Sequence, residues 1–448
     1  MKNEMKSGEG LLKNRPYVML LTSQLVSNLG DWLYFLALLT LIGLRWNATP
    51  WQITLTTLCM LLPTLLGGPL AGLLADRVER KRLMIISDLA RMILILGLVF
   101  VTELWQVYLL LIVKSSFDVI FSPAKNGKIK EIVPHHQLDQ AVSYSAIIEQ
   151  GSKIVGPALG GMLSSAFGLS SSFIINSVAF LISAIALIGV PTKSKLTPAS
   201  VQEQEQGTEG LAKKAEGSQR GGFRREVSAG LKIIAGIPLI FFGLLTLAAS
   251  MLVLQIADSQ IVVLFRGIPG ISEDLLGWCI TGSGVGTFLA VAINRILSKW
   301  SPLTKMSFGG MLVGLMFAGA GLLTLQGALG TIGTGLMLTM FLLAGLGAGL
   351  TFIPFQVTLQ QRTPEAMTGR VFGTVSSVTS AAAVIGPLCG GYLVTMFGPE
   401  PAYILSGGLM TLLGLALLLF RKPIIERDQA ALQTAGLQED SFTSAAMN

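Results

Sequence analysis

An all-α membrane protein of twelve transmembrane helices, in two six-helix repeats with both termini cytoplasmic, is the fold class the sequence predicts. Three observations carry it. Only 13% of the 448 residues are charged while 51% are hydrophobic, and mean hydropathy is +0.66. A soluble globular chain carries roughly 25% charged residues. The apolar residues fall in twelve continuous runs, and a bilayer asks about 20 residues of each helical span. A segment of the first half recurs 230 residues later. The first observation excludes an ordinary soluble enzyme and a charge-rich disordered scaffold. The second excludes a β-barrel, whose strands alternate apolar and polar residues.

The runs lie at about 17–44, 51–75, 83–101, 105–124, 141–166 and 171–191, then 237–264, 275–297, 306–325, 331–355, 370–396 and 402–420. They divide the chain into a cytoplasmic N-terminal segment (1–16), a six-helix bundle (17–191), a polar linker (192–236), a second bundle (237–420) and a polar, mobile tail (421–448). The run from Tyr17 is too long for a cleaved signal peptide and reads as a retained first span. Basic residues set the orientation. With the N-terminus inside, 27 of the 32 Lys and Arg fall in cytoplasmic segments, and outer loops hold only Arg45 and Arg266. This is a strong positive-inside bias. The net charge of +7 is therefore a topology signal and not one of nucleic-acid binding.

Gly156-Pro157-Ala158-Leu159-Gly160-Gly161 recurs as Gly386-Pro387-Leu388-Cys389-Gly390-Gly391. Phe167-Gly168 recurs as Phe397-Gly398 at the same offset, so helix 5 of one half matches helix 5 of the other. Two parallel six-helix repeats are a transporter plan, with the substrate site between them near the midplane. The prolines remove backbone hydrogen bonds, and the glycines allow close packing, here expected against the other half.

The loop Gly72-Leu-Leu-Ala-Asp76-Arg77-Val-Glu79-Arg80-Lys81-Arg82 resembles the signature between helices 2 and 3 of the major facilitator superfamily. Glu79 stands where that signature has its second glycine, which questions the local turn. Gly-Pro-x-x-Gly-Gly in helix 5 resembles the antiporter motif of the superfamily's exporters. Asn28-Leu29-Gly30-Asp31 and Phe121-Ser122-Pro123-Ala124 resemble a narrower group, the bacterial drug:proton antiporters related to macrolide efflux proteins and the enterobactin exporter. The resemblance spans roughly residues 17–420. It implies a multi-pass protein of the bacterial inner or plasma membrane. It further implies a cytoplasmic gate in which Gly72, Asp76, Arg77, Arg80 and Lys81 latch onto Arg370 at the entry of helix 11, and a leak-resistant seal at Gly156, Pro157, Gly160 and Gly161.

Charges inside the spans are the most informative residues, because each costs about 3 kcal/mol or more in lipid and so faces a cavity or a partner. Asp88–Arg91, Lys114–Asp118 and Glu149–Lys153 are spaced to pair on one helix face. Asp31 and Asp258 have no basic neighbour on their own helices, 1 and 7. The spans hold five acids against three bases. Asp31, Asp258, Glu149 and Asp118 are the proton-coupling candidates. Trp32, Tyr34, Phe35, Lys114 and Lys153 are the candidates for the wall of a substrate cavity.

The expectation is a proton-coupled exporter of amphipathic, often cationic drugs, working by alternating access as a monomer in the bilayer. It needs no cofactor beyond the proton gradient and has no nucleic-acid partner. Export of a siderophore or a lysophospholipid on the same fold stays open, as does a non-transporting sensor. An enzyme is not expected. The two His residues, 135 and 136, are adjacent in one basic loop, and no metal-ligand set or nucleophile–base pair joins them. Cys59, Cys279 and Cys389 sit in separate apolar runs and read as core residues.

Residues 196–219 are polar and poor in aromatics, so they cannot bury enough apolar area to order themselves. Limited proteolysis from the cytoplasmic side is expected to cut there first and leave two six-span fragments on a gel. A fully protected linker would contradict the topology.

Overall fold

The computed structural model describes residues 11–134, 137–192, 238–269, 273–327, 330–362 and 368–446. The linker 193–237, the two histidines and residues 270–272, 328–329 and 363–367 lie outside the described residues. Among the described residues twelve helices have 18 residues or more. They are α1 (Arg15–Leu39), α2 (Pro50–Arg77), α3 (Arg80–Gly97), α4 (Leu104–Ile132), α5 (Leu138–Phe167) and α6 (Leu169–Ile188), then α7 (Pro238–Asp258), α8 (Glu273–Ile296), α9 (Pro302–Leu325), α10 (Thr331–Arg362), α11 (Thr368–Phe397) and α12 (Pro399–Ala446). Ten stretches of described helix are long and apolar enough to cross a membrane; α3 and α5 are not among them. α3 carries Arg80, Lys81, Arg82, Asp88 and Arg91.

Local sequence explains the helix starts. Thr49 caps α2 by accepting from Gln52 N while the Gln52 side chain accepts from Thr49 N at 2.7 Å, and Pro50 takes the first helical position. At α9, Ser301 accepts from Thr304 N at 3.2 Å and Pro302 takes the first helical position. Asn14 accepts from Tyr17 N at the head of α1. Gly168 (φ 84°) precedes α6 and Gly398 (φ 88°) precedes α12, a left-handed conformation that glycine adopts without a Cβ penalty. These two glycines, and both ends of α5 and α11, differ by the 230-residue offset seen in the sequence. The repeat is therefore one of backbone as well as of motif.

The chain divides into two compact units. The first contains α1–α6 and the opening turns of α8 through Thr281; the second contains α7 and α9–α12 with the rest of α8. The expected division at the linker thus moves for the start of α8, where Leu275, Leu276 and Cys279 are buried. In the first unit α1 packs on α5 and α6, α3 on α4 and α6, and α2 on α4. The Tyr17 hydroxyl donates to Ala141 O at 2.8 Å, tying α1 to α5. In the second, α12 packs on α9, α7 and α11, and the Tyr403 hydroxyl donates to Ala257 O at 2.9 Å. Large apolar side chains such as Leu66, Leu70, Phe100 and Phe288 point outward, as a lipid-facing surface requires.

Four expectations are corrected. α4 does not end near 124 but continues through Pro123 to Ile132, because the residues beyond are held: Lys128 Nζ reaches Glu131 at 2.6 Å and Thr192 O at 3.2 Å. The seventh span breaks after Asp258. The polar triplet Asp258-Ser259-Gln260 makes a turn, and a short helix follows at Ile261–Arg266. The tail, read as mobile, is helical as far as Ala446. Asp428 fixes its first part by accepting from Leu239 N at 3.2 Å and pairing with Arg362 at 3.4 Å. Last, Gly156, Gly160, Gly386 and Gly390 of the repeated motif face the first helix of their own unit. A Cβ at Gly156 would strike Trp32, one at Gly160 would press on Leu33 and Leu36 of α1, and those at Gly386 and Gly390 would meet α7 at Gln255 and Ile256. Gly156 and Gly160 thus pack on α1, and Gly386 and Gly390 on α7.

Glycine decides one further contact. At Gly345 a Cβ would overlap the Ser283 backbone, and at Gly286 it would overlap the Leu342 backbone, so α8 and α10 touch backbone to backbone. Thr287 Oγ1 donates to Gly345 O at 3.0 Å across the same contact. Gly335 on α10 has open space instead. Gly345→Ala is expected to cost about 1–3 kcal/mol through overpacking, and Gly335→Ala to cost nothing; thermal unfolding of the two purified variants in detergent checks the contrast.

Candidate functional site

The first unit holds a chain of buried charges assembled from four helices. On α4, Lys114 and Asp118 are one turn apart and pair at 2.9 Å. Lys114 Nζ also donates to Asp31 Oδ1 of α1 at 2.8 Å and to the Tyr34 hydroxyl at 3.3 Å, and it lies 4.5 Å from the centre of the Tyr34 ring. Asp118 accepts from Arg91 of α3 at 3.3 Å. Arg91 in turn forms a close ion pair with Asp88, one turn back on α3. Asp88 accepts from Ser183 of α6 at 2.6 Å. Ser183 spends its single proton on that carboxylate, so the Ser23 hydroxyl, 2.6 Å away, must donate to Ser183. Ser23 is again on α1. The chain therefore closes through α1, α4, α3 and α6, with its two ends eight residues apart on one helix.

Packing holds this ring in place. The Arg91 guanidinium lies between the rings of Phe121 and Phe180, at 4.4 and 4.5 Å from their centres. Such cation–π contacts grow stronger as water is removed. The side chains of Arg91 and Lys114 are each 4% exposed and that of Asp88 not at all, whereas Asp31 is 31% and Asp118 32% exposed. The network thus has a dry end at Asp88 and a wet end at Asp31 and Asp118. Within the ring three carboxylates face two cations.

The wet end opens into a cavity of about 290 Å³ within the first unit, lined by Gln24, Ser27, Asn28, Asp31 and Trp32 of α1, Arg91 of α3, Asp118, Phe121, Ser122 and Lys125 of α4, and Glu149 of α5. Polar residues at helical spacing in apolar spans build this wall: Gln24, Ser27, Asn28 and Asp31 share one face of α1, and Asp118, Ser122 and Lys125 share one face of α4. Gln24 is fixed by Ser145 of α5, donating to its carbonyl at 3.0 Å and accepting from its hydroxyl at 2.7 Å. Trp32 is braced edge-on by Phe35, ring centres 5.7 Å apart, and backed by Gly156.

Of the candidates read from the sequence, the structure gathers Asp31, Asp118, Glu149, Trp32 and Lys114 in or against this cavity. Tyr34 is not a cavity residue; it is buried under Lys114, because a helix turns it away from Trp32. Phe35 stands behind Trp32. Asp258 is exposed at the C-terminal end of α7, in the other unit. The side chains of Lys153, Pro157, Asp76 and Arg370 lie outside the described residues, and with them the Glu149–Lys153 pair and the latch at helix 11. Two of the other gate cations make contacts within the first unit: Arg80 pairs with Glu131 at 2.7 Å and Lys81 donates to Ile188 O at 2.7 Å. Glu79 has an ordinary negative φ of −55°, so the turn does not need the glycine it lacks. The sequence reading missed Gln24, Ser27, Asn28, Ser122 and Lys125 as cavity residues. Lys125 follows the apolar run 105–124 and so reads as a cytoplasmic charge; the extension of α4 past Pro123 brings it into the wall. Among the described residues no group of three His, Cys, Asp or Glu is placed to hold a metal ion.

Two six-helix repeats, the first holding a buried ionic network, are the plan of a membrane transporter. The family model of the Major Facilitator Superfamily matches residues 20–381 and again 334–444, and the chain belongs to that superfamily. It is a multi-pass bacterial membrane transporter and not an enzyme. An uncharacterized MFS-type transporter, YfiS of Bacillus subtilis, is 39% identical over 92% of this chain and 95% of its own. Macrolide efflux protein A of Streptococcus pyogenes is 25% identical over 80% of this chain and 84% of its own. The enterobactin exporter EntS of Citrobacter koseri is 25% identical over 85% and 88%. The crystal structure of the nucleoside transporter NupG shares the fold, with a TM-score of 0.66 at 16% identity, over 92% of this chain and all of that one.

Removing one member of a buried ion pair leaves its partners uncompensated, at about 3–5 kcal/mol. Lys114→Met is therefore expected to lower the thermal unfolding temperature of the purified protein clearly. Adding Asp31→Asn to it should recover part of the loss, since two carboxylates no longer face each other across the missing ammonium. A double variant less stable than Lys114→Met alone would contradict the pairing.

Proposed function

We propose that the chain is a proton-coupled exporter of amphipathic, often cationic drugs, working by alternating access as a monomer with both termini cytoplasmic. The reading is supported above all by the surplus carboxylate of the ring in the first unit. Asp31 touches one cation, Lys114, whereas Asp118 touches two. Asp31 is thus the least neutralised acid at the wet end, and it borders the cavity beside Trp32. A site with one uncompensated negative charge takes either a proton or a cationic substrate. Competition between the two for one place yields exchange without any further device. Trp32 and Phe121 supply aromatic faces to the apolar part of such a substrate. The similarity to macrolide efflux protein A and to an enterobactin exporter supports outward transport. No bound cofactor enters; the proton gradient is the energy source.

Inverted membrane vesicles loaded against a pH gradient test the reading, with ethidium as a lipophilic monocation, a macrolide, and an anionic siderophore as cargoes. Gradient-dependent accumulation of the monocation is expected for the native protein. Asp31→Asn, which keeps shape and removes ionisation, should reduce accumulation to the level of vesicles without a gradient while downhill equilibration persists. Undiminished uphill transport by Asp31→Asn would remove Asp31 as the essential proton site, with Asp258 and then Glu149 next. Movement of the siderophore alone would change the cargo class, and movement of nothing in the panel would favour a sensor.

A further inference from the structure

We infer that Asp88, the dry end of the ring, is a positioning residue that sets the pH at which Asp31 changes charge, acting through Arg91, Asp118 and Lys114. This rests on the reading of Asp31 as the proton site. Asp88 never meets the cavity: its side chain is fully buried, with Arg91 and Ser183 as its partners in the ring. Water does not screen it, so its charge acts at close to full strength on Arg91. Arg91 cannot drift, because Phe121 and Phe180 sandwich it and its Nε donates to Ser87 O at 3.3 Å.

The distances show how the charge is shared. Arg91 makes its closer pair with Asp88 and reaches Asp118 only at 3.3 Å. Asp118 therefore leans on Lys114 at 2.9 Å, and Lys114 divides itself between Asp118 and Asp31, at 2.8 Å. A neutral residue at 88 would turn Arg91 wholly to Asp118 and free Lys114 for Asp31, which would stay ionised to lower pH. Loss of Arg91 would do the reverse: Asp118 would claim Lys114, and Asp31 would take its proton more readily. Among the described residues, the charged and titratable groups that face this ring are Asp31 and Tyr34 on α1, Asp88 and Arg91 on α3, Lys114, Asp118 and Lys125 on α4, and Glu149 on α5. α6 contributes the Ser183 hydroxyl.

The test reads protonation directly and needs no substrate. The purified full-length protein in lipid nanodiscs is titrated by infrared difference spectroscopy, following the protonated-carboxyl C=O band that Asp31→Asn removes. The midpoint of that band is expected to move to lower pH in Asp88→Asn and to higher pH in Arg91→Gln, by about one unit or less each, the low end of the scale for a neighbouring charge because neither group touches Asp31. Asp88→Glu, which keeps the charge, should leave it near the native value. Ser183→Ala leaves every charge in place and guards against a variant that does not fold. It should raise the midpoint by less, because Asp88 then relies on Arg91 alone. Midpoints that stay put, or that move in the same direction in Asp88→Asn and Arg91→Gln, would overturn the relay. A band that survives in Asp31→Asn would overturn the underlying reading of Asp31, and the relay with it.

Discussion

Everything distinctive in the first unit depends on one ammonium group, Lys114, held between Asp31 and Asp118 over the ring of Tyr34. A charge at this depth survives only if it is compensated. Lys114 is compensated twice, by helices that neither sequence nor chain order brings together: its own α4 and the distant α1. Because one cation serves two acids, neither acid is fully neutralised, and the deficit passes along to Arg91 and Asp88. The outcome is a network whose members cannot change charge independently. A structural ion pair would be closed and electroneutral; this one is open at the cavity and carries a surplus.

The two units solve the problem of packing in lipid differently. The first draws four helices together with ionic and hydroxyl contacts that end on α1 at Ser23 and Asp31. The second relies on backbone contact. Gly286 and Gly345 join α8 to α10, and Gly314 and Gly407 bring α9 against α12 so closely that a Cβ at either would meet backbone. Small residues are the means by which helices associate where no hydrophobic effect separates them from lipid. The repeat in sequence therefore preserves helix bounds and turn glycines while leaving each half free to specialise.

The departures from expectation share a cause. The fourth apolar run ends near 124, yet the helix continues to Ile132, where Lys125 and Lys128 find partners on α5, at Glu131 and at Thr192. Arg421 onward reads as a mobile tail, yet Asp428 is held by Arg362 and by the backbone of α7. Gly156 reads as a contact with the other half, yet Trp32 of α1 already fills that space. In each case the local composition reads correctly, as the end of an apolar run, a polar tail or a small side chain. A partner distant in sequence then overrode that local preference.

The sequence by itself determined the membrane class, the all-helical build, the 230-residue repeat, the superfamily and the identity of the unusual charges. These follow from local quantities: hydropathy over a span, charge asymmetry between loops, and motifs within a few residues. It also determined the Lys114–Asp118 and Asp88–Arg91 pairings, because i to i+3 and i to i+4 neighbours share a helix face. Only the tertiary structure decided that these two pairs are one network, that Asp31 joins it through Lys114, that Tyr34 belongs to the network and not to the cavity, and that Lys125 lines the wall. Which helix faces which is settled by packing over the whole bundle. A lone carboxylate in an apolar span looks the same in sequence whether its neighbour is lipid, water or a lysine 83 residues away.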